Sequence, residues 1–200
     1  AEQEKNIGKR DFIDLIGKNE LPNYLKSNSQ IEAIIHMGAI SATTENNFNN
    51  LLKSNIRYSQ FLWYWASANQ VPLIYASSAA TYGDGEFGYK DNSDALLNYK
   101  PLNAYGYSKH FFDIWVQNQL QQNLPKPPKW FGLKFFNVYG PNEYHKGSMQ
   151  SVVKHAVDQY KKYGNVKLFK SYNTRYENGQ QTRDFIYIDD CISLINWLID

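Results

Sequence analysis

Two side chains four residues apart offer acid–base chemistry: the phenol of Tyr105 and the ammonium of Lys109, in the stretch Tyr-Gly-Tyr-Ser-Lys. If this stretch opens a helix, the spacing puts both groups on one face, within reach of one substrate atom. A free tyrosine has a pKa of about 10 and is a poor base near neutrality, but a nearby lysine charge favours the phenolate. Both residue types are common on solvated helix faces, so the meaning of the pair depends on the elements around it.

The bulk properties of the 200 residues exclude several classes of protein. A net charge of +2 is too small to indicate nucleic acid or an anionic membrane as a partner, and no apolar run is long enough to span a bilayer. The single cysteine, Cys191, excludes an internal disulfide framework, fits a reducing, cytoplasmic location, and is predicted to be a small buried residue. No metal site is predicted.

Apolar runs and helical spacing alternate along the chain. The runs predict strands at 33–39, 71–78, 130–138 and 183–190, and the spacing predicts helices at 46–69, 105–121, 149–163 and from 190 to the end. Phe112 and Trp115 are predicted to be core residues of the second of these helices. This order predicts an α/β fold with a doubly wound parallel sheet.

Polar residues stand where three of the predicted strands end, at Gly38–Ser41, Ser77–Ser78 and Asn137–Val138. Ligands of such sheets lie beyond the carboxyl ends of the strands, so we expect these ends to form one site with the helix that follows the second strand. Ser78 would hydrogen-bond the reacting hydroxyl, Tyr105 would exchange its proton, and Lys109 would hold the phenolate and a ribose. This layout suits hydride transfer between an alcohol carbon and a nicotinamide.

Three motifs in this order resemble the extended short-chain dehydrogenase/reductase family of sugar-nucleotide enzymes, the NAD-dependent epimerases and dehydratases. They are Tyr-Ala-Ser-Ser-Ala-Ala-Thr-Tyr-Gly at 75–83, Tyr105–Lys109, and Phe-Phe-Asn-Val-Tyr-Gly-Pro at 135–141. A narrower resemblance, to a branch that acts on an ADP-linked heptose, rests on His-Lys-Gly-Ser-Met at 145–149 and Arg-Asp-Phe at 183–185. The fold that this implies is Rossmann-like.

The resemblance implies an epimerisation. Tightly held NADP would oxidise the exocyclic secondary alcohol of the heptose to a ketone, and the hydride would return to the opposite face. Inversion needs an acid–base group on each side, which the family pattern assigns to Tyr105 and Lys146. The alternative for Lys146 is a solvated loop lysine, and catalysis by it would require a pKa lowered by burial.

The resemblance also implies binding roles by position. Cofactor contacts fall on Lys9, Gly38, Ala39, Ile40, Ser41, Asn55, Lys109, Val138 and Lys146, and substrate contacts on Ser78, Asn137, Ser148, His155, Phe169, Lys170, Ser171, Tyr172 and Arg183. For His155 a simple helix-face histidine is an open alternative. Around the Gly-Ala turn the chain has Met37 and Ile40-Ser41-Ala42 where the family often has a Glu and Cys-Ser, which affects side-chain contacts more than backbone contacts.

The family's phosphate-binding glycine loop, with the residue that separates NADP from NAD, has no match in the chain. We therefore expect the first strand–helix unit and most of the C-terminal substrate lobe to be absent from this chain. NADP as the cofactor is accordingly implied by the resemblance alone, and NAD stays open as the alternative. The expected division is 1–140 as part of the dinucleotide-binding domain, 141–182 as the start of the substrate region, and 183–200 as a strand and helix of the main domain. The family implies a homo-oligomer, a pentamer, and a role in making heptose for the lipopolysaccharide core.

Two alternatives stay open at this point. Another epimerase or dehydratase of the same fold, acting on a UDP-hexose, would share Ser78, Tyr105 and Lys109 but lack the His-Lys-Gly-Ser stretch. A non-catalytic sugar-nucleotide-binding protein would keep the fold without the cofactor loop.

Overall fold

The computed structural model of the chain describes residues 4–8, 10–28, 30–172, 174 and 176–200. They fall into a larger unit, residues 15–135 and 199, and a smaller unit, residues 1–14, 136–198 and 200. None of the helices in the described ranges is long and apolar enough to cross a bilayer.

Helices and strands alternate through most of the described chain. In order they are α1 Glu4–Ile7, α2 Leu21–Ser27, β1 Ile34–His36, α3 Phe48–Leu51, α4 Tyr58–Asn69, β2 Leu73–Ala76, α5 Ser93–Leu96, α6 Ala104–Gln121, β3 Trp130–Leu133, β4 Asn137–Tyr139, α7 Val152–Tyr163, β5 Phe185–Tyr187 and α8 Ile188–Ile199. Short 3₁₀ helices cover Ala79–Tyr82 and Glu143–Met149, and a π-helical segment, Leu52–Arg57, joins α3 to α4.

The larger unit contains a parallel sheet in the order β1-β2-β3, with Ile35 opposite Ile74 and Ile74 opposite Phe131. Parallel strands need long crossover connections, which the helical segments between them provide. The predicted α/β class with parallel strands is therefore confirmed. β2 lies in the centre of the sheet, so its carboxyl end is held on both sides.

The core of the larger unit is aromatic. Trp63, Tyr75 and Phe112 are almost completely buried, and their contacts include Trp63 with Trp130 and Tyr75 with Phe112, at ring-centroid distances of 5.4 and 4.9 Å. Large rings bury much apolar area, and edge-to-face contacts add stability beyond that area. The predicted core positions of Phe112 and Trp115 are confirmed, since Trp115 packs against the same cluster.

The predicted helix at 46–69 is present, but its middle has π-helical geometry at Leu52–Arg57. Its start is set by Asn47, whose side-chain oxygen accepts hydrogen bonds from the backbone N–H groups of Asn49 and Asn50. The π segment contains Asn55, which is buried. Such segments insert one extra residue into a turn and often occur at functional sites.

The smaller unit contains a second parallel pair, in which β4 pairs with β5 and Asn137 lies opposite Phe185. The prediction of one strand over 130–138 is therefore wrong. β3 ends at Leu133, opposite Ala76 at the end of β2, and the backbone turns there, since the N–H of Phe135 donates to the carbonyl of Leu133 at 3.1 Å. The side chain of the next residue, Lys134, pairs with Asp113, and the carbonyl of Phe135 accepts a hydrogen bond from the N–H of Ala79.

The helix predicted to begin at 149 begins three residues later. Ser151 is its N-cap, and the Ser151 hydroxyl accepts a hydrogen bond from the N–H of Lys154 at 3.1 Å. Cys191 is buried on α8, as predicted. The last predicted strand is shorter than expected, since β5 ends at Tyr187 and the helix begins at Ile188.

Candidate active site

Ser78 lies just beyond the carboxyl end of the central strand β2. It is buried, and it caps the 3₁₀ helix Ala79–Tyr82 by accepting a hydrogen bond from the N–H of Ala80 at 3.1 Å. The N–H of Ala79 is bound by the carbonyl of Phe135 at 2.9 Å. The position of the Ser78 hydroxyl is therefore defined by backbone contacts on the residues that follow it.

Tyr105 and Lys109 lie one turn apart near the start of α6, as predicted. Asn103 caps this helix through a 2.8 Å hydrogen bond from the N–H of Gly106. Gly106 allows a close approach, because a Cβ there would lie 2.9 Å from the carbonyl oxygen of Ala80. The first turn of α6 consequently packs against the turn that follows Ser78, which brings the Ser78 side chain close to that of Tyr105.

The ionisation of the pair differs from the expectation. Burial raises the pKa of Tyr105, and the hydrogen bond with Ser78 opposes this only in part. Burial lowers the pKa of Lys109 to about 8, against a smaller opposite effect of the Asp113 charge. The expectation that Lys109 brings the phenol into a lower range is wrong for this structure, because the Lys109 ammonium donates its hydrogen bond to the carbonyl of Ala76 at 2.7 Å.

This arrangement has a definite chemical capacity. At neutral pH the phenol of Tyr105 is protonated, and the neighbouring Ser78 hydroxyl has no charge of its own. A substrate alcohol placed beside Ser78 would therefore meet a proton donor–acceptor pair, with a lysine charge one helical turn away.

The turn after β1 carries several predicted cofactor residues. Asn55 holds it: its side chain accepts a hydrogen bond from the N–H of Ile40 at 2.9 Å and donates to the carbonyl of Ile40 at 3.0 Å. The same amide donates to Ser108 on α6 at 2.9 Å. Asn55 therefore joins the turn to the helix of Tyr105, and its predicted direct contact with a cofactor stays a prediction.

A cavity of about 600 Å³ opens beside this turn. Its lining includes Gly38, Ala39 and Ile40, together with Lys18 and Tyr58. The volume is within the range of small-molecule sites, which are mostly apolar with a few polar groups. Ser41 is exposed next to it, and Lys9 lies outside the described residues.

His36 borders the cavity and hydrogen-bonds Ser59 at 2.9 Å. Burial, with smaller contributions from the charges of Lys109 and Lys18, lowers its pKa to about 4. His36 is therefore neutral at physiological pH.

Sequence reasoning missed four polar residues near Ser78: the buried Ser77, Thr81 and Asp113, and the half-buried Lys134. Two features of the sequence could have identified Asp113 and Lys134. Asp113 follows Lys109 by four residues and so shares its helix face. Lys134 interrupts the apolar run 130–136, and a lysine in such a run needs a partner when it is buried.

In the smaller unit, Lys146 lies in the 3₁₀ segment Glu143–Met149. Its side chain is 41% exposed, and its ammonium is 3.7 Å from the carboxylate of Glu143. Gly147, between Lys146 and Ser148, has φ of +53°, a conformation that side chains other than glycine rarely adopt. The backbone conformation at the centre of the Lys-Gly-Ser pattern thus favours glycine at position 147.

Glu143 anchors this segment. Its carboxylate accepts hydrogen bonds from the N–H and hydroxyl of Ser151, both at 2.7 Å, and from the N–H of Gly140 at 3.2 Å. Burial raises the pKa of Glu143, but these hydrogen bonds and the charge of Lys146 outweigh it and hold the pKa below its ordinary value.

The other predicted substrate residues of the smaller unit lie mainly at its surface. The Asn137 amide donates to the carbonyl of Asp184 at 2.8 Å, next to Arg183, whose guanidinium is exposed. His155 is half-buried on α7, and Val138 is half-buried on β4. Ser148 and the segment Phe169–Lys170 are exposed, and Tyr172 is almost fully so.

Comparison with known proteins agrees with this geometry. The profile of the NAD dependent epimerase/dehydratase family matches residues 1–200. The chain is 50% identical over 199 residues to an ADP-L-glycero-D-manno-heptose-6-epimerase of Fusobacterium nucleatum, covering 97% of the chain and 59% of that protein. An enzyme of the same name from Nitratidesulfovibrio vulgaris is 41% identical over 202 residues, covering 100% and 61%. The chain thus spans about three fifths of these relatives.

Solved structures show the same fold. The ADP-L-glycero-D-manno-heptose-6-epimerase of Helicobacter pylori superposes with a TM-score of 0.78 at 30% identity, over 98% of this chain and 59% of that one. A UDP-N-acetylglucosamine 4-epimerase of Methanobrevibacter ruminantium has a TM-score of 0.69 at 20% identity, over 88% and 53%. At this lower identity the likeness concerns the fold alone. The family resemblance seen in the three motifs is confirmed, and so is the narrower one.

Proposed function

Because this chain belongs to the NAD dependent epimerase/dehydratase family, we propose that its protein interconverts ADP-D-glycero-β-D-manno-heptose and ADP-L-glycero-β-D-manno-heptose. The observation that carries the chemistry is the position of Ser78 at the end of β2 beside Tyr105 at the start of α6, with Lys109 one turn further along the helix. The heptose is proposed from the names of relatives at 50% and 41% identity. The chain spans about three fifths of those proteins, so the activity of the whole protein is part of the proposal.

The proposed reaction inverts a secondary alcohol through a ketone. A bound nicotinamide dinucleotide supplies the reversible hydride acceptor. For the oxidation, Tyr105 first releases its own proton to solvent; Ser78 hydrogen-bonds the alcohol oxygen, and the Tyr105 phenolate takes the proton from that oxygen as the ketone forms. When the hydride returns to the opposite face, Lys146 gives a proton to the ketone oxygen, and proton exchange with solvent restores both groups. Lys109 stabilises the negative charge that Tyr105 gains when it gives up its own proton.

Lys146 is proposed as the second acid–base group. Support comes from its place in the His-Lys-Gly-Ser stretch and from the positive φ of Gly147, which shapes the backbone beside it. Glu143 holds this segment, and its carboxylate lies 3.7 Å from the Lys146 ammonium, so the proposed group has a charged partner within the same segment.

The residues proposed to hold the cofactor are Lys9, Gly38, Ala39, Ile40, Ser41, Asn55, Lys109, Val138 and Lys146. The cavity beside Gly38–Ile40 fits part of a dinucleotide in volume, and the backbone of this turn is positioned by Asn55. We propose NADP as the preferred form.

The substrate residues are proposed to be Ser78, Asn137, Ser148, His155, Phe169, Lys170, Ser171, Tyr172 and Arg183. The exposed guanidinium of Arg183 suits a diphosphate, because its planar donors match two oxygens at once. Exposed rings at Phe169 and Tyr172 suit stacking on a base. The roles of 1–140, 141–182 and 183–200, a pentameric assembly, a cytoplasmic location and the supply of heptose to the lipopolysaccharide core remain predictions of the same proposal.

The test uses the purified complete protein that contains this chain. It is incubated with ADP-D-glycero-β-D-manno-heptose, and the ratio of the two heptose epimers is followed by proton NMR. We expect the mixture to approach the same ratio from either epimer. Parallel incubations with UDP-glucose and UDP-N-acetylglucosamine test the UDP-hexose alternative.

Three outcomes separate the alternatives. Interconversion of the heptoses alone supports the proposal, and conversion of a UDP-hexose alone replaces it. Binding of ADP-heptose, measured by calorimetry, without any conversion would identify a non-catalytic binding protein. Lys146→Met, with Lys154→Met on α7 as the matched control, tests the second acid–base group, because an unaffected rate would leave Tyr105 as the only one.

A further inference from the structure

Asp113 is a buried carboxylate on α6, one helical turn beyond Lys109. It accepts hydrogen bonds from the Lys134 ammonium and the Ser77 hydroxyl, both at 2.6 Å, and from the Tyr75 hydroxyl at 3.3 Å. Its side chain is only 6% exposed. The carboxylate of Asp113 therefore binds both Ser77, which precedes Ser78, and Lys134, the first residue after β3.

Lys134 extends this contact to the other side of Ser78. Its ammonium donates a second hydrogen bond to the Thr81 hydroxyl at 2.8 Å, and Thr81 is completely buried. The Thr81 hydroxyl in turn donates to the carbonyl of Ser78 at 2.8 Å. The pair is thus connected to both sides of Ser78. Asp113 binds the hydroxyl of Ser77, and Lys134 binds the hydroxyl of Thr81, which binds the carbonyl of Ser78.

Stability alone is a poor explanation of this pair. Removing two charges from water costs free energy that a buried ion pair often does not recover, and apolar residues of similar size frequently stabilise as well or better. What a pair with these contacts does provide is a defined geometry, since each of its polar atoms faces a fixed partner.

We infer that Asp113 and Lys134 are positioning residues that hold the Ser78 turn against the start of α6, and so set the position of Ser78 relative to Tyr105. The inference rests on the proposed function for the reaction that this geometry serves. Neither residue is assigned contact with substrate. The charge of Asp113 also acts on Lys109, whose pKa it raises against the effect of burial.

Four variants separate positioning from folding. They are Lys134→Met, Lys134→Arg, the double variant Asp113→Leu/Lys134→Met, and Lys129→Met, which removes an exposed lysine just before β3 as the control. Lys134→Met leaves a buried carboxylate unpaired and should lower the melting temperature. The double variant leaves no unpaired charge, so its melting temperature should lie above that of Lys134→Met.

The catalytic effect should follow a different order. We expect kcat to fall about 10- to 100-fold in Lys134→Met and in the double variant, since small misplacements of reacting groups cost this much. KM should stay within about twofold, because the pair does not touch substrate. Lys134→Arg keeps the charge and the donors and should recover most of the rate. Lys129→Met should match the wild type.

A second measurement does not depend on turnover. The titration of Tyr105 is followed through the NMR signal of its ring in protein labelled with [ζ-¹³C]tyrosine, and the signal is assigned by its absence in Tyr105→Phe. Ser78→Ala removes the hydroxyl that opposes the effect of burial on the pKa of Tyr105, so it should move the Tyr105 titration to higher pH. The double variant should reproduce this shift if the pair positions Ser78.

The two measurements distinguish the inference from the function on which it rests. A wild-type protein that is inactive on ADP-heptose, with a Tyr105 titration that shifts in the double variant, contradicts the proposed function and supports the inference. An unshifted titration in a folded double variant overturns the inference, as does a kcat within about twofold of the wild type.

Discussion

The ammonium of Lys109 donates a hydrogen bond to the carbonyl of Ala76 at 2.7 Å, two residues before Ser78. In the resting site, where Tyr105 is an uncharged phenol, the lysine of the pair therefore binds the end of strand β2. Burial raises the pKa of Tyr105 and lowers that of Lys109 to about 8. The resting site therefore holds a protonated phenol beside an ammonium that releases its proton more readily than a free lysine does. This makes the roles of the two side chains separable by substitution.

Tyr105→Phe removes the proton that the proposed reaction moves and leaves the ring in place. We expect the rate of epimer interconversion to fall about 10²- to 10⁴-fold, the usual contribution of general acid–base catalysis. The measurement is the NMR time course of the heptose epimers. Tyr107→Phe is the matched control, since Tyr107 lies on the same helix and is 38% exposed. Equal rates in the two variants would remove Tyr105 from the mechanism.

Lys109→Met should change the dependence of stability on pH. The folded protein releases the Lys109 proton near pH 8, whereas the unfolded chain holds it to about 10.5, so the unfolded state binds more protons between these values. The free energy of unfolding of the wild type should therefore rise with pH across this window, relative to the variant, by up to about 3 kcal/mol. Urea unfolding of both proteins at pH 7.5, 9 and 10.5 measures the difference. Parallel curves would mean that Lys109 is not desolvated.

Gly106→Ala tests the close approach of α6 to the Ser78 turn. The new methyl group would lie 2.9 Å from the carbonyl oxygen of Ala80 and from the Cβ of Pro101, so the start of the helix must move away. We expect a loss of stability of about 1–3 kcal/mol, as for other overpacked sites. The rate should fall as well, because Tyr105 moves with the helix. Thermal unfolding and the epimer assay measure the two effects, and a wild-type rate would show that the approach is not needed for catalysis.

The parts of this site that could be predicted from sequence are local. The placement of Tyr105 and Lys109 on one helix face follows from the 3.6-residue period, and the burial of Phe112 follows from the apolar spacing of the same helix. Ser78 at a strand end follows from an apolar run that stops at small polar residues. These inferences depend on neighbours within a few positions.

The parts that could not be predicted depend on partners far away in the chain. The side chain of Lys134, just after β3, binds Asp113, a residue 21 positions earlier. The direction of the Tyr105 pKa shift depends on how deeply the phenol is buried, which no spacing reveals. The contact of Asn55 with Ser108 spans 53 positions, and it gives a buried amide a role that its sequence neighbourhood does not suggest.

Glu143→Gln should loosen the segment that carries Lys146 and remove an acid-sensitive contact. The pKa of Glu143 lies below its ordinary value of 4.5, so the carboxylate stabilises the fold above that pH, and this contribution is lost as the pH falls through the lowered pKa. The buried thiol of Cys191, in the same unit, reports opening through its reaction with a disulfide reagent. We expect faster thiol labelling of Glu143→Gln than of wild type at pH 7, and a smaller further increase in the labelling rate when both proteins are acidified below pH 4.5. Glu177→Gln, at an exposed position of the same unit, is the control. Identical labelling rates for Glu143→Gln and wild type would show that this carboxylate does not hold the segment.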